Sequence, residues 1–192
     1  MKQLLPSLAL LVSAFLSPLT FIPFMFVTAL SRSNLSRFTM VAAILIFFLV
    51  GMLPTVGTLV FLKKTGRISD WGMSKREERY TLSIVGLFSF LVVYVLLLPI
   101  RTTPLGMVAE LLAVGGTLFA LITRFWKISA HAAAAELFFL FAADYFNFPW
   151  FWSIIAIVLI CWSRWYRKRH TLWQLIGGII LSWGIWMVWG IN

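Results

Sequence analysis

The stretch Ser163-Arg164-Trp165-Tyr166-Arg167-Lys168-Arg169-His170-Thr171-Leu172-Trp173-Gln174 interrupts a series of apolar runs. It contains several cations and one of the two histidines of the chain. The runs on either side, residues 150–162 and 172–191, contain no charged residue. Since a charged loop between two uncharged runs is typical of a membrane hairpin, we interpret the rest of the chain as a scaffold that holds this loop.

The composition of the whole chain predicts a membrane protein. Hydrophobic residues make up 61% of the sequence and charged residues only 11%, whereas average soluble domains carry about 25% charged residues. Apolar runs, some of them close to the roughly 20 residues that a helix needs to cross a bilayer, cover residues 6–30, 38–62, 81–100, 105–122, 131–146, 150–162 and 172–191. The sequence therefore predicts an all-α fold, a polytopic membrane bundle of about six to seven transmembrane helices.

The first run is expected to be a retained membrane span. Its small residues Val12-Ser13-Ala14 are similar to a signal-peptide cleavage site, but the apolar run continues to Leu30. Pro18 and Pro23 predict that this helix is kinked or broken. No repeat, low-complexity segment or soluble domain interrupts residues 1–192, so we expect a single integral-membrane domain.

The positions of the charges predict which loops share a membrane face. An even number of runs separates the polar loops 63–80, 123–131 and 163–174, so all three are expected on one side. Of the 16 Lys and Arg residues, only Arg32, Arg37 and Arg101 fall on the other side. The positive-inside tendency then places the three loops in the cytoplasm. The net charge of +10 lies in these short loops, so we expect contact with the bilayer and with phosphate groups, and no nucleic acid.

These loops contain the residue types that phosphoryl transfer requires. Guanidinium groups bind phosphate oxygens in a bidentate manner and stabilise the charge of a transferring phosphoryl group. His131 and His170 could serve as a nucleophile and a general acid, which needs no metal and no other cofactor. The alternative interpretation is that the cations only anchor the loops at the membrane surface and that the histidines are interfacial.

The spacing of the loop residues resembles the signatures of the type-2 phosphatidate phosphatase superfamily. Ser163-Arg164, five residues and then His170 is similar to its third signature, Ser-Arg-x5-His-x3-Asp. Ser129-Ala130-His131 resembles the end of the second signature, Pro-Ser-Gly-His. The resemblance covers about residues 63–190, which would form the phosphatase-like core, preceded by two spans within residues 6–62.

The resemblance implies roles for individual residues. His170 would attack phosphorus and form a phosphohistidine, and His131 would protonate the leaving group. The phosphate would be held by a larger set of side chains, namely Arg164, Arg79, Arg76, Lys75, Lys127 and Ser129. The substrate would be a lipid phosphate or an isoprenoid diphosphate in a bacterial or archaeal cell membrane, hydrolysed without a metal.

The chain departs from the family pattern in two signatures. In the first, Lys-x6-Arg-Pro, Arg79 fits the arginine, but Gly72 stands at the lysine position and Tyr80 at the proline position. We expect Lys75 or Arg76 to substitute, with a helix from Ser74 that would place Arg76 and Arg79 on one face.

In the third signature, Gln174 replaces the carboxylate that orients the nucleophilic histidine. Its amide oxygen could still accept a hydrogen bond from the Nδ1–H of His170 but supplies no negative charge. In serine proteases the comparable exchange of Asp for Asn costs about 10⁴ in turnover. Glu136 and Asp144 are candidates to lend a carboxylate. The alternative function is a non-catalytic protein that binds lipid phosphate; a transporter would require paired broken helices in two matching halves, and no such repeat is visible.

Overall fold

The computed structural model describes residues 4–73 and 75–189, and within these ranges the chain is α-helical without β-strands. The helices are α1 Leu4–Phe15, α2 Pro18–Arg32, α3 Arg37–Leu45, α4 Leu53–Lys64, α5 Tyr80–Leu97, α6 Pro104–Phe125, α7 Ala130–Phe146, α8 Trp150–Tyr166 and α9 Leu172–Trp189. A π-helical segment, Ile46–Met52, joins α3 to α4, and short 3₁₀ turns, Glu77–Arg79 and Leu98–Ile100, flank α5. The all-α prediction is confirmed.

The chain is an integral membrane protein by the length and composition of its helices. Within the described ranges, five helical stretches are long and apolar enough to cross a bilayer: Leu4–Arg32, Arg37–Lys64, Glu77–Ile100, Pro104–Phe125 and Leu172–Trp189. Helix α8 is apolar but shorter, and α7 is equally short. Many large apolar side chains are exposed along the helices, which is expected where the solvent is lipid.

The prolines of the first two spans interrupt their helices in different ways. Helix α1 ends before Pro18, which takes the first position of α2, where its missing N–H costs nothing, while Pro23 remains inside α2. Ahead of Pro54 the helix widens, so that Leu53 N–H donates to Phe48 O, five residues back. The Thr55 hydroxyl donates to Gly51 O at 2.8 Å, which satisfies a carbonyl near the irregular turn.

The chain divides into two compact units by its internal contacts. The middle unit contains residues 26–125, and the terminal unit contains residues 4–25 and 126–189. The sequence grouped residues 6–62 apart from 63–190, whereas the contacts group the first helix with the last three. The reason is that α1 packs on α8, within the terminal unit.

The middle unit is built around the α5–α6 hairpin. Phe26 stacks on Phe47 with ring centroids 3.9 Å apart, and Phe47 contacts Phe90 at 5.9 Å. At the turn after α2, the buried Ser33 hydroxyl accepts a hydrogen bond from Leu105 N at 2.9 Å. This bond holds the turn to the first residues of α6.

The terminal unit is built on close packing of α7 and α9. A Cβ added at Gly178 would lie 2.6 Å from Ser129 O, and one added at Gly177 would lie 2.7 Å from the Trp126 ring. The Ser182 hydroxyl donates to Ala133 O at 2.7 Å. Small residues therefore let the two helices approach closely, and a serine links them by a hydrogen bond, as is common between membrane helices.

Candidate functional site

Two of the three predicted loops meet in the terminal unit. The backbone N–H of Ser129, just before α7, donates to Gln174 O in the first turn of α9 at 2.9 Å. The Lys127 ammonium donates to Arg169 O at 3.2 Å. The segments that resemble the second and third signatures are therefore hydrogen-bonded neighbours.

Ser129 is the N-cap of α7. Its side chain is fully buried, and its hydroxyl oxygen accepts a hydrogen bond from Ala132 N at 3.3 Å. A serine at this position satisfies one of the amides that a helix start leaves without a partner. The cap fixes the first turn of α7, and this turn carries His131.

The imidazole of His131 is bonded to the first helix of the chain. Its Nε2 lies 3.2 Å from Ser13 O in α1. A carbonyl oxygen can only accept, so this hydrogen bond requires a proton on Nε2. The hydrogen bond therefore orients the ring of His131 towards α1.

Arg164 is a buried cation at the end of α8. It is only 2% exposed, and its Nη1 donates to the Ser13 hydroxyl at 2.7 Å. The neighbouring Ser163, also buried, donates its hydroxyl to Ala9 O at 2.7 Å. Because a buried guanidinium is costly without partners, the contact with α1 is part of what stabilises the charge in this position.

His170 lies between two helix caps. Helix α8 ends in a Schellman motif: Lys168 N donates to Trp165 O at 2.8 Å, Arg169 N donates to Arg164 O at 2.9 Å, and Lys168 has a φ of 53°. His170 follows and is 5% exposed. The turn at the end of α8 thus separates the buried His170 from the buried Arg164 by only five residues.

The second cap contains Gln174. Its Oε1 accepts a hydrogen bond from Thr171 N at 3.1 Å, and its own N–H donates to Thr171 Oγ1 at 3.3 Å. This reciprocal pair is a capping box, Thr-x-x-Gln, at the start of α9. The amide oxygen considered as the orienting partner of His170 therefore accepts a hydrogen bond from the backbone of Thr171, the residue just before α9.

The two acids considered as carboxylate donors have different surroundings. Glu136 is partly buried in α7, accepts a hydrogen bond from the side chain of Trp183 in α9 and lies near the Cys161 thiol of α8. Asp144 is exposed near the end of α7. Among the residues that the structure describes, no group of three or more His, Cys, Asp or Glu side chains is placed to hold a metal ion.

The cations expected from the first signature belong to the middle unit. Arg79 is buried, and its guanidinium donates to Met73 O at 3.1 Å and to Gly72 O at 3.5 Å. Arg76 donates to Phe125 O at 2.9 Å and pairs with Glu77 at 3.5 Å. Lys75 is exposed.

Hydrogen bonds among its own residues stabilise the loop before α5. Glu78 accepts from Ser69 N at 2.9 Å and from the Ser69 hydroxyl at 3.1 Å, and Lys63 donates to Ser69 O at 2.8 Å. The expected helix would begin at Ser74, which lies outside the described residues. The observed helical turn is the 3₁₀ segment Glu77–Arg79, within which Arg79 faces the loop carbonyls.

Sequence reasoning missed Ser13, which contacts two of the predicted site residues. In the sequence it is one small polar residue in an apolar run, and such residues are common in membrane helices without a site. A weak signal was present: Ala9 and Ser13 are four residues apart, so they share one face of a helix and form a small-residue surface on which another helix can pack.

No protein-family model, curated protein or solved structure matches this chain.

Proposed function

We propose that the chain is a membrane phosphatase-like protein that hydrolyses a lipid phosphate or an isoprenoid diphosphate without a metal. The observation that carries the proposal is the contact between the segments of the second and third signatures, through Ser129 N to Gln174 O and Lys127 to Arg169 O. It brings Arg164, His131 and the turn that contains His170 into one unit. The excess of cations in the loops favours a substrate in the cytoplasmic leaflet, and the membrane we propose is that of a bacterial or archaeal cell.

The proposed reaction proceeds in two steps. A ring nitrogen of His170 attacks phosphorus, a P–N bond forms, and the P–O bond to the lipid alkoxide or lipid phosphate breaks as His131, in its doubly protonated form, gives a ring proton to the departing oxygen. Water then attacks phosphorus and gives a proton to His131, the P–N bond breaks and returns its electron pair to His170, and inorganic phosphate leaves. The Arg164 guanidinium and the Lys127 ammonium would stabilise the charge on the phosphoryl oxygens.

A second candidate function is lipid-phosphate binding without turnover. One observation favours it: the Gln174 amide oxygen already caps α9, and an amide at the position of the signature carboxylate carries no negative charge. Without a negative partner, an imidazole gains less stabilisation as its positive charge develops.

The two functions are separated by a release assay on the purified protein. The substrates are phosphatidate, phosphatidylglycerol phosphate and a polyprenyl diphosphate, each in mixed micelles. His170→Ala tests the nucleophile, and Lys168→Ala, an exposed cation of the same loop, is the matched control. Phosphate release that His170→Ala abolishes and Lys168→Ala retains supports hydrolysis; binding of the same lipids with no release above the His170→Ala background supports the second function.

The proposed orientation has a separate test. In a Cys161→Ser background, a cysteine introduced at Lys168 should react with a membrane-impermeant maleimide only from the cytoplasmic side. A cysteine introduced at Arg32 should react only from the other side. The opposite pattern would reverse the orientation and move the proposed site to the outer leaflet.

A further inference from the structure

Ser13 is a buried serine that contacts two candidate site residues at once. It lies in α1 and is 4% exposed. Its hydroxyl oxygen accepts from Arg164 Nη1 at 2.7 Å, and its carbonyl oxygen accepts from His131 Nε2 at 3.2 Å. One residue of the first helix therefore bonds the end of α8 and the start of α7.

A separate contact holds α1 against α8. One helical turn before Ser13, Ala9 O accepts the hydroxyl of Ser163 at 2.7 Å. Ala9 itself is fully buried. The Ser163–Ala9 bond can thus hold the two helices together without involving the side chain of Ser13.

We propose that Ser13 is a positioning residue for the phosphate site, an inference that rests on the proposed function. Its hydroxyl accepts a hydrogen bond that orients the guanidinium of Arg164, and its carbonyl accepts the hydrogen bond that orients the ring of His131. The ligand that this arrangement serves is a phosphate group, whether on a lipid or free.

The chemistry of the guanidinium explains why its orientation matters. Arginine binds phosphate through a planar fork of N–H groups, so a rotation of the plane loses the second bond of a bidentate pair. The long side chain would lose considerable rotamer freedom if it were fixed only when the ligand arrives. The hydrogen bond from Arg164 Nη1 to Ser13 restricts the orientation of the plane before the ligand arrives.

The expected effect is measurable as a change in affinity. Without this bond the Arg164 side chain must be immobilised when the ligand arrives, and this loss of rotamer freedom should weaken phosphate binding by up to about 10-fold. Ser13→Ala and the nearly isosteric Ser13→Cys remove the strong acceptor, whereas Ser13→Thr keeps a hydroxyl at the same place. Ser163→Ala is the matched control, because it removes a buried hydrogen bond between the same two helices without touching Arg164.

The experiment titrates wild type and these variants, purified in detergent, with dioctanoyl phosphatidate and, separately, with inorganic phosphate. Arg164→Ala defines the background, and the thermal midpoint of each variant reports its folding. We expect Ser13→Ala and Ser13→Cys to bind both ligands up to about 10-fold more weakly, Ser13→Thr to bind like wild type, and Ser163→Ala to lose thermal stability but keep its affinity. If only phosphatidate shows the effect, the ligand is the lipid headgroup.

Two outcomes would overturn the inference in distinguishable ways. If wild type binds phosphatidate in an Arg164-dependent manner but Ser13→Ala binds equally well, or if Ser163→Ala loses as much affinity as Ser13→Ala, Ser13 contributes only to helix docking and the proposed function survives. If wild type binds neither ligand above the Arg164→Ala background, the proposed function fails and the positioning role fails with it.

Discussion

The side chains of Thr171 and Gln174 each bind the other residue's backbone amide, so α9 begins with a closed pair of hydrogen bonds. This pair explains a glutamine at a position where the resembling family has a carboxylate. Glutamine and glutamate both serve at the last position of a capping box, whereas aspartate is one methylene shorter. The start of α9 therefore gives Gln174 a structural role whether or not it also serves a reaction.

We expect Gln174→Ala to lower the free energy of unfolding by about 1 kcal/mol, because it removes one half of the cap. Gln174→Glu should retain the stability of wild type, since its carboxylate can accept the same Thr171 N–H. Chemical denaturation in detergent measures both. A double-mutant cycle with Thr171→Ala should show that the two losses are not additive; additive losses would mean that the two side chains act independently.

The same glutamine allows a prediction about activity. Gln174→Asp introduces the negative charge of the family signature close to His170, and it should increase phosphate release if the site is built for hydrolysis. Because Asp is too short to maintain the cap in full, the thermal midpoint should fall at the same time. A rise in turnover together with a fall in stability is the expected signature, and no turnover in either protein would favour the binding function.

Lys168 ends α8 in a left-handed conformation that glycine adopts at no steric cost. For a residue with a Cβ, this conformation costs about 1–2 kcal/mol. We therefore expect Lys168→Gly to raise the free energy of unfolding by about 1 kcal/mol. Arg169→Gly, at the next residue, which has no positive φ, should not stabilise. If both glycines had the same effect, the loss of charge and not the backbone would be responsible.

The close approach of α9 to Ser129 can be tested with two glycines of one helix. A Cβ at Gly178 would lie 2.6 Å from Ser129 O, whereas one at Gly184 would have no neighbour within 4 Å. Gly178→Ala should cost about 1–3 kcal/mol because backbone must move. Gly184→Ala should be neutral or slightly stabilising. Thermal unfolding of the two variants compares them directly, and equal midpoints would contradict the packing of α7 on α9.

Arg79 should act first as a structural residue of the loop before α5. Its guanidinium bonds the carbonyls of Met73 and Gly72, so Arg79→Ala should loosen this loop. Lys75→Ala, the exposed control, should not. Limited chymotrypsin cleavage after Trp71, which is 58% exposed, reports the difference, and equal cleavage of both variants would show that Arg79 does not hold the loop.

Much of the helical framework could be predicted from sequence because hydrophobic runs and helices coincide in a membrane protein. The break at Ser17-Pro18 followed from the proline, which cannot continue a helix on its N-terminal side. The π-helical turn before Pro54 was not anticipated, since proline alone does not say whether a helix kinks, breaks or widens.

Only some contacts of the candidate site could be predicted from the sequence. Counting spans predicted only that the segments around Ser129 and Gln174 lie on one side of the membrane, and it could not give the hydrogen bond between them. The pattern Thr-x-x-Gln is typical of a capping box. We had interpreted Gln174 only as a partner of His170, because its position resembles that of the carboxylate in a phosphatase signature. The contact of Ser13 with Arg164 joins residues far apart in sequence, and local patterns carry no information about such pairs.

The bonds of α1 to α8 join segments that are synthesised at very different times. Ala9 and Ser163 are separated by 154 residues and Ser13 and Arg164 by 151. A chain is synthesised from its N-terminus at about 5–20 residues per second, so α1 enters the bilayer many seconds before its partners exist. Ser13 must spend that interval among lipid or temporary neighbours, and insertion of the hairpin of α8 and α9 completes the surroundings of α1.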